Sequence, residues 1–256
     1  MNEDIYQKMI DQGHAETVGG GNPEEISTAN FALMRRLLRL QPDMQLLDFG
    51  CGCGRVSLPI LDYLSVDGTY VGVDIIPDLI QFCTDEIGSK FNNASFACLR
   101  KSNEFYDEKI SPTTIDNQIE ELLELGEEQF DIIIAFSVFT HLYKKEANEY
   151  LKLLAKLLKP NGQLLLSTFL INTSSKKFIR QGEATPTFRL FPKINPGVYY
   201  SDRTNKLGAV AFEEQYLIRA ALGAGFDPIT VAYGNWCGRH APDNYQDTVV
   251  LSRSIF

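Results

Sequence analysis

The sequence predicts an α/β protein: a doubly wound sheet of seven strands, mostly parallel, that ends in an antiparallel hairpin. Three observations carry this. Five short apolar, β-rich runs alternate with helical patterns over the first two thirds of the 256 residues, as in a parallel sheet whose crossovers are helices. The first run leads straight into a turn with three alternate glycines, "GCGCG" at 50–54. The last two β-rich runs, 227–234 and 245–252, are separated by only a short loop with no room for a crossover helix.

The first strand is "MQLLDF" (44–49), followed by the glycine turn and a helical "RVSLPILDYL". The second is "TYVGVD" (69–74); the helix after it, "PDLIQFCTDEI", opens on Pro77, whose fixed φ suits a first helical position. "ASFACL" (94–99) and "FDIIIAFS" (130–137) are the third and fourth. In "KKEANEYLKLLAKLLK" (144–159), Ala147, Tyr150, Leu151, Leu154, Leu157 and Leu158 share one face, predicting a helix. It should stop at Pro160, with Asn161–Gly162 turning into the fifth strand, "GQLLLSTFL" (162–170). A last helix over "FEEQYLIRAALGAGF" precedes the hairpin.

Two stretches read as irregular. Residues 100–129 hold nine acids against one lysine between Glu104 and Gln129, with a surface helix expected over "TIDNQIEELLEL". Residues 171–206 are the reverse: Lys176, Lys177, Arg180, Arg189, Lys193, Arg203 and Lys206 face Glu183 and Asp202, with Phe178, Phe188, Phe191, Tyr199 and Tyr200 interleaved.

A composition of 44% hydrophobic and 22% charged residues suits one cored domain over 1–256. The net charge of −9 opposes nucleic-acid phosphates. No apolar run reaches the ~18–20 residues of a membrane span, and "MNEDIYQKMI" lacks the pattern of an export signal, so a cytoplasmic protein is expected. Five cysteines without Cys-x-x-Cys spacing predict neither a disulfide framework nor a metal centre, and Cys51 and Cys53 read as small residues filling the loop.

A glycine turn from a buried strand into a helix lets backbone N–H groups approach a ligand closely. Asp74 ends the next strand 20 residues beyond Gly54, where an acid accepts hydrogen bonds from ribose hydroxyls. Together they point to an adenosine-containing cofactor. The Gly-x-Gly-x-Gly spacing and the single α/β unit closed by a hairpin fit an NAD-dependent oxidoreductase badly.

The motifs "LLDFGCGCGR", "YVGVDIIPDLI", "FDIIIAFSVFTHL" and "LLKPNGQLLLSTF" resemble those of class I S-adenosylmethionine (SAM)-dependent methyltransferases, in the bacterial group with small-molecule substrates. The resemblance covers roughly 17–252 and implies a Rossmann-like fold with SAM as cofactor. It implies that Asp48, Gly50, Cys51 and Gly52 line the methionine end of SAM, that Asp74 binds the ribose, and that Ile75 flanks the adenine. Phe136 and Ser137 would lie near the methionine amine and the sulfonium. Many relatives carry an acid after the third strand for the adenine amino group; here the stretch reads "CLRKSN", and Arg100 cannot accept that bond, leaving a backbone carbonyl, Ser102 or Asn103. By the same resemblance, "VGGG" at 18–21 marks an N-terminal lid within 1–30, and 171–206 is an insertion that covers the methyl acceptor.

On the acceptor side, His141 is the candidate general base and Glu213 a second candidate, against packing and helix-dipole roles. Trp236, Arg239 and Tyr199 are candidate substrate contacts, Arg239 as a partner for a carboxylate or phosphate. The local excess of positive charge in 171–206 suggests an anionic or polar acceptor. The expected activity is methyl transfer to a small molecule or modified peptide, at a hydroxyl or carboxylate oxygen. A sugar or amine acceptor, and a SAM-binding protein without activity, are the alternatives.

Overall fold

The computed structural model describes residues 2–99, 120–190, 196–202, 204–240 and 244–254. Its contacts divide the chain into two compact units, Met1–Ile134 and Ala135–Phe256.

The first unit opens with helices α1 (Asn2–Asp11), α2 (His14–Thr17) and α3 (Pro23–Leu37), then alternates β1 (Gln45–Phe49), α4 (Ser57–Tyr63), β2 (Thr69–Asp74), α5 (Pro77–Cys83), β3 (Ala94–Cys98) and β4 (Phe130–Ala135). The order β3-β2-β1-β4 is parallel throughout, with Asp48 opposite Gly72 and Ile134, and Asp74 opposite Cys98. Leu46, Leu47, Tyr70 and Val73 are wholly buried, as strands covered on both faces require. Pro77 occupies the first turn of α5, which runs on into a wider π-type turn at Thr84–Gly88. The segment expected as a lid is helical. Asn22 caps α3 by accepting from the N–H groups of Glu24 (3.0 Å) and Glu25 (3.1 Å), and Lys8 of α1 pairs with Glu86 at 2.8 Å.

The second unit contains α6 (Lys144–Leu157), β5 (Leu158–Ile171), α7 (Thr173–Gln181), β6 (Val198–Tyr200), β7 (Val210–Glu213), α8 (Glu214–Gly223), β8 (Phe226–Ala232) and β9 (Asp247–Arg253). Strand β5 lies between β9, antiparallel, and β7, parallel; β7 takes β6 on its other side and β9 takes β8, both antiparallel. The closing hairpin is therefore β8–β9.

Nine strands stand among the described residues where seven were expected. The additional two, β6 and β7, are three and four residues long, too short for a periodic signal. The 171–206 segment is thus partly regular, with α7 capped by Asn172 through Ser175 N (2.9 Å). The turn expected at Asn161–Gly162 is absorbed into β5: the helix ends at Leu157 and Asn161 enters the strand with φ +62°. Of the acidic stretch, residues 120–123 are helical; Arg100, Ser102, Asn103 and the remainder to 119 lie outside the described residues, as do Phe191, Lys193 and Arg203.

Candidate active site

In the first unit the site is built around the turn after β1. The N–H groups of Gly50 and Cys51 both donate to the carbonyl of Val73 (2.8 and 3.0 Å), folding the chain back over the end of β2. Gly50, Gly52 and Gly54 have φ of +83°, +56° and +74°, the region that favours glycine. Space excludes a side chain as well. A Cβ on Gly52 would stand 2.8 Å from Val18 Cγ1, and one on Gly54 2.6 Å from Ile87 Cδ1. Cys51 and Cys53 fill the inner side of the turn, and Cys83 Sγ donates to the Gly52 carbonyl at 3.4 Å. Burial raises the Cys51 thiol well above its usual range and pushes Cys53 up to about 11, so both stay protonated and unreactive at neutral pH.

Asp74 ties this turn to β2. One carboxylate oxygen, Oδ2, accepts from Gly52 N at 2.8 Å; the other, Oδ1, accepts from Ile75 N (2.7 Å) and Ile76 N (3.0 Å). Burial raises its pKa and the three N–H donors oppose the rise. Oδ2, with one bond accepted, has capacity for a second donor such as a ribose hydroxyl. Ile75, half-buried, follows directly.

Asp48 is 2% exposed and accepts the Tyr70 hydroxyl at 2.6 Å. Burial pushes its carboxyl up to about 7; the Tyr70 bond opposes this and the charge of Asp74 adds to it. A buried carboxylate with one neutral donor is under-compensated, and a cationic ligand would complete it. The positively charged methionine end of SAM has that chemistry, so the residues present fit the cofactor.

The sequence reading missed Arg55. Its guanidinium donates through Nη2 to the Val18 carbonyl (3.1 Å) and through Nη1 to that of Gly20 (3.2 Å), clamping the glycine-rich "VGGG" stretch against the cofactor turn. Burial without a carboxylate partner lowers its pKa. The available signal was an arginine directly after the glycine turn, together with glycines at 19–21 that leave carbonyls unshielded.

In the second unit, Phe136 and Ser137 follow β4 and are half-buried. Ser137 has φ +60°, costing roughly 1 kcal/mol, and three bonds hold it. Its N–H donates to Ser167 Oγ (2.7 Å), its carbonyl accepts from Thr140 Oγ1 (2.7 Å), and its hydroxyl donates to Gln246 Oε1 (3.3 Å). The chain then makes one tight turn, Phe139–His141. His141 Nδ1 lies 2.7 Å from the carbonyl oxygen of Leu207. A carbonyl can only accept, so Nδ1 carries a hydrogen, and in the neutral ring the lone pair is then on Nε2, the tautomer a general base requires.

The remaining candidates have internal partners. Glu213 ends β7 and pairs with Lys176 (3.4 Å), while Glu214 accepts from Asn172 Nδ2 (2.7 Å) and the Tyr233 hydroxyl (2.8 Å). Trp236 and Tyr199 lie inside an apolar cluster with Phe169 and Phe188. Trp236 Nε1 donates to Asp247 Oδ2 at 2.7 Å. Asp247, fully buried, also accepts from Leu170 N (2.7 Å), Gly234 N (2.8 Å) and Arg239 Nη1 (3.2 Å). Arg239 stacks over the Tyr233 ring at 4.4 Å. This network fixes the hairpin to β5. Its centre, Asp247, was passed over in "YQDTVV" because one acid in a β-rich run has no spacing signature.

Comparison with known proteins gives the family and the fold. A family model described as "Methyltransferase domain" matches residues 24–231, and therefore runs through both units. A ubiquinone biosynthesis O-methyltransferase of Caulobacter vibrioides is 25% identical over 207 residues, 80% of this chain and 71% of that protein. Among solved structures, the magnesium protoporphyrin IX methyltransferase of Synechocystis, with bound S-adenosylhomocysteine, matches with a TM-score of 0.54 and 20% identity, covering 98% of this chain and 92% of that one. The 1,6-didemethyltoxoflavin-N1-methyltransferase of Burkholderia thailandensis matches with a TM-score of 0.57 and 15% identity, covering 99% and 89%. The chain belongs to the methyltransferase domain family, on the class I fold of SAM-dependent enzymes.

Proposed function

We propose that this protein transfers the methyl group of SAM to an oxygen of a small molecule, at a hydroxyl group. The observation that carries the oxygen reading is the tautomer of His141, with Nδ1–H donated to Leu207 O and Nε2 left basic. A hydroxyl acceptor must lose its proton as it is methylated, and an imidazole suits that task near neutral pH. A carboxylate or an already ionised oxygen would not need such a base.

SAM supplies an electrophilic methyl on a sulfonium. In the transfer, the acceptor oxygen forms a bond to that carbon, the carbon–sulfur bond breaks, and its electron pair stays on sulfur, giving the neutral thioether S-adenosylhomocysteine. The acceptor proton passes to His141 Nε2. The rest of the chain binds and orients: Asp74 takes the ribose, Ile75 flanks the adenine, and Asp48 with the Gly50–Gly52 turn and Cys51 receives the methionine end. By the family resemblance, Phe136 and Ser137 would lie near the amine and the sulfonium. Alignment of the reacting atoms and exclusion of water are the main sources of rate.

The oxygen assignment is supported by the name of the Caulobacter relative, whereas the Burkholderia neighbour's name specifies a nitrogen. Methylation with SAM labelled in its methyl group, followed by mass spectrometry and NMR of the product, distinguishes them. A labelled methoxy group is expected, and a labelled N-methyl group would overturn the reading.

A further inference from the structure

Gln246 was not anticipated from sequence. It belongs to the linker entering β9 and is half-buried. Its neighbours hold its backbone on both sides: Asp247 through four donors, and Tyr245 through its carbonyl, which accepts from Trp236 N at 3.0 Å. Gly234 packs so closely that a Cβ there would stand 2.5 Å from Gln246 C and O.

The side chain is oriented as firmly. Ser167 Oγ accepts from Ser137 N (2.7 Å), so its own hydrogen is available and is donated to Gln246 Oε1 at 2.5 Å. Ser137 Oγ donates to the same oxygen at 3.3 Å. The amide is assigned with Oε1 toward the two hydroxyls, where it accepts from both, and with Nε2 on the opposite side, without a partner among the described residues. Ser137 directly precedes Val138, which caps the turn that carries His141.

We infer that Gln246 positions the methyl acceptor by donating from Nε2 to an oxygen adjacent to the hydroxyl that His141 deprotonates. The preferred acceptor therefore carries a hydroxyl with a neighbouring carbonyl or carboxylate oxygen. This rests on the proposed oxygen methylation. The two serines keep the amide from rotating, so the donor is preset before the acceptor arrives.

Gln246→Glu separates the roles, because a carboxylate still accepts from both serines but has no N–H to donate. The probes are 2-hydroxyacetophenone and 2-hydroxybenzoate against phenol, with SAM labelled in its methyl group and binding of SAM followed by calorimetry. In the native enzyme the two ortho-oxygen probes should be methylated with a KM at least about tenfold below that of phenol. In Gln246→Glu that advantage should disappear, the KM of the two ortho-oxygen probes rising to that of phenol, while SAM binding by calorimetry is retained. Retention of the advantage in the variant overturns the proposal, as does a parallel loss of SAM affinity, which would assign Gln246 to the cofactor. If the native enzyme binds SAM but methylates none of the ortho-oxygen probes, the proposed acceptor class is wrong and the cofactor assignment survives. If it also fails to bind SAM, the wider reading falls with it.

Discussion

The Tyr70 hydroxyl meets the Asp48 carboxylate at 2.6 Å inside the first unit, and burial, outweighing that bond, pushes the carboxyl up to about 7. An acid whose folded pKa lies above its ordinary value of 3.8 binds more protons folded than unfolded. Its contribution to stability is complete below about pH 4 and is lost as pH rises through about 7. The protein without SAM should lose stability over that interval in urea unfolding. Asp48→Asn, which still accepts from Tyr70, should flatten that part of the profile.

The same carboxyl should make SAM binding depend on pH. If the cationic end of SAM requires the ionised form, affinity should weaken by about tenfold per unit below pH 7. Calorimetric titrations at pH 5.5, 6.5 and 7.5 test this. A pH-independent affinity in the native protein would remove Asp48 from the cofactor site.

Asp74→Ala should weaken SAM binding by at least about tenfold, through loss of a charge-assisted bond and release of the Gly52 turn. Equilibrium binding measures it, and an unchanged affinity contradicts the ribose assignment.

Turnover in His141→Ala should fall by about 10²-fold with SAM affinity unchanged. A rate near that of the native enzyme would mean that the acceptor arrives without a proton to lose.

Asp247→Ala orphans Trp236 Nε1 and two backbone N–H groups and removes the carboxylate partner of Arg239, and should destabilise the protein by about 3 kcal/mol or more. Trp236→Phe, which removes one donor and some packing, should cost less. Chemical denaturation ranks the two.

Arg55→Ala should speed amide exchange at Val18–Gly21 by about tenfold, with partial protection in Arg55→Lys, whose single ammonium cannot hold both carbonyls in the same fork.

The sequence was most legible where a physical demand admits few residues. The turn at 50–54 needs positive φ and close approach, so its glycines declare themselves, and Asp74 is placed by the end of a strand that hydrophobicity alone delimits. Strands β6 and β7 escaped because three and four residues display no period. Asp247, Arg55 and Gln246 escaped for another reason. Their roles come from partners 8 to 109 residues away, such as Ser137 for Gln246 and Arg239 for Asp247, and local spacing carries no record of such pairings. Trp236, chosen from the hairpin motif "GNWCGR", and Tyr199, chosen from the basic stretch 171–206, have side chains buried in an apolar cluster, a placement that residue type alone does not reveal.

The cysteines around the cofactor turn are buried, as is Cys237, while Cys98 alone of the five is exposed. Cys98 closes β3 directly opposite Asp74 in the sheet register. A maleimide fluorophore would therefore attach at a single place without any engineering of the chain, one strand away from the proposed ribose contact. The native protein already contains the attachment point for an optical sensor of its own methyl donor.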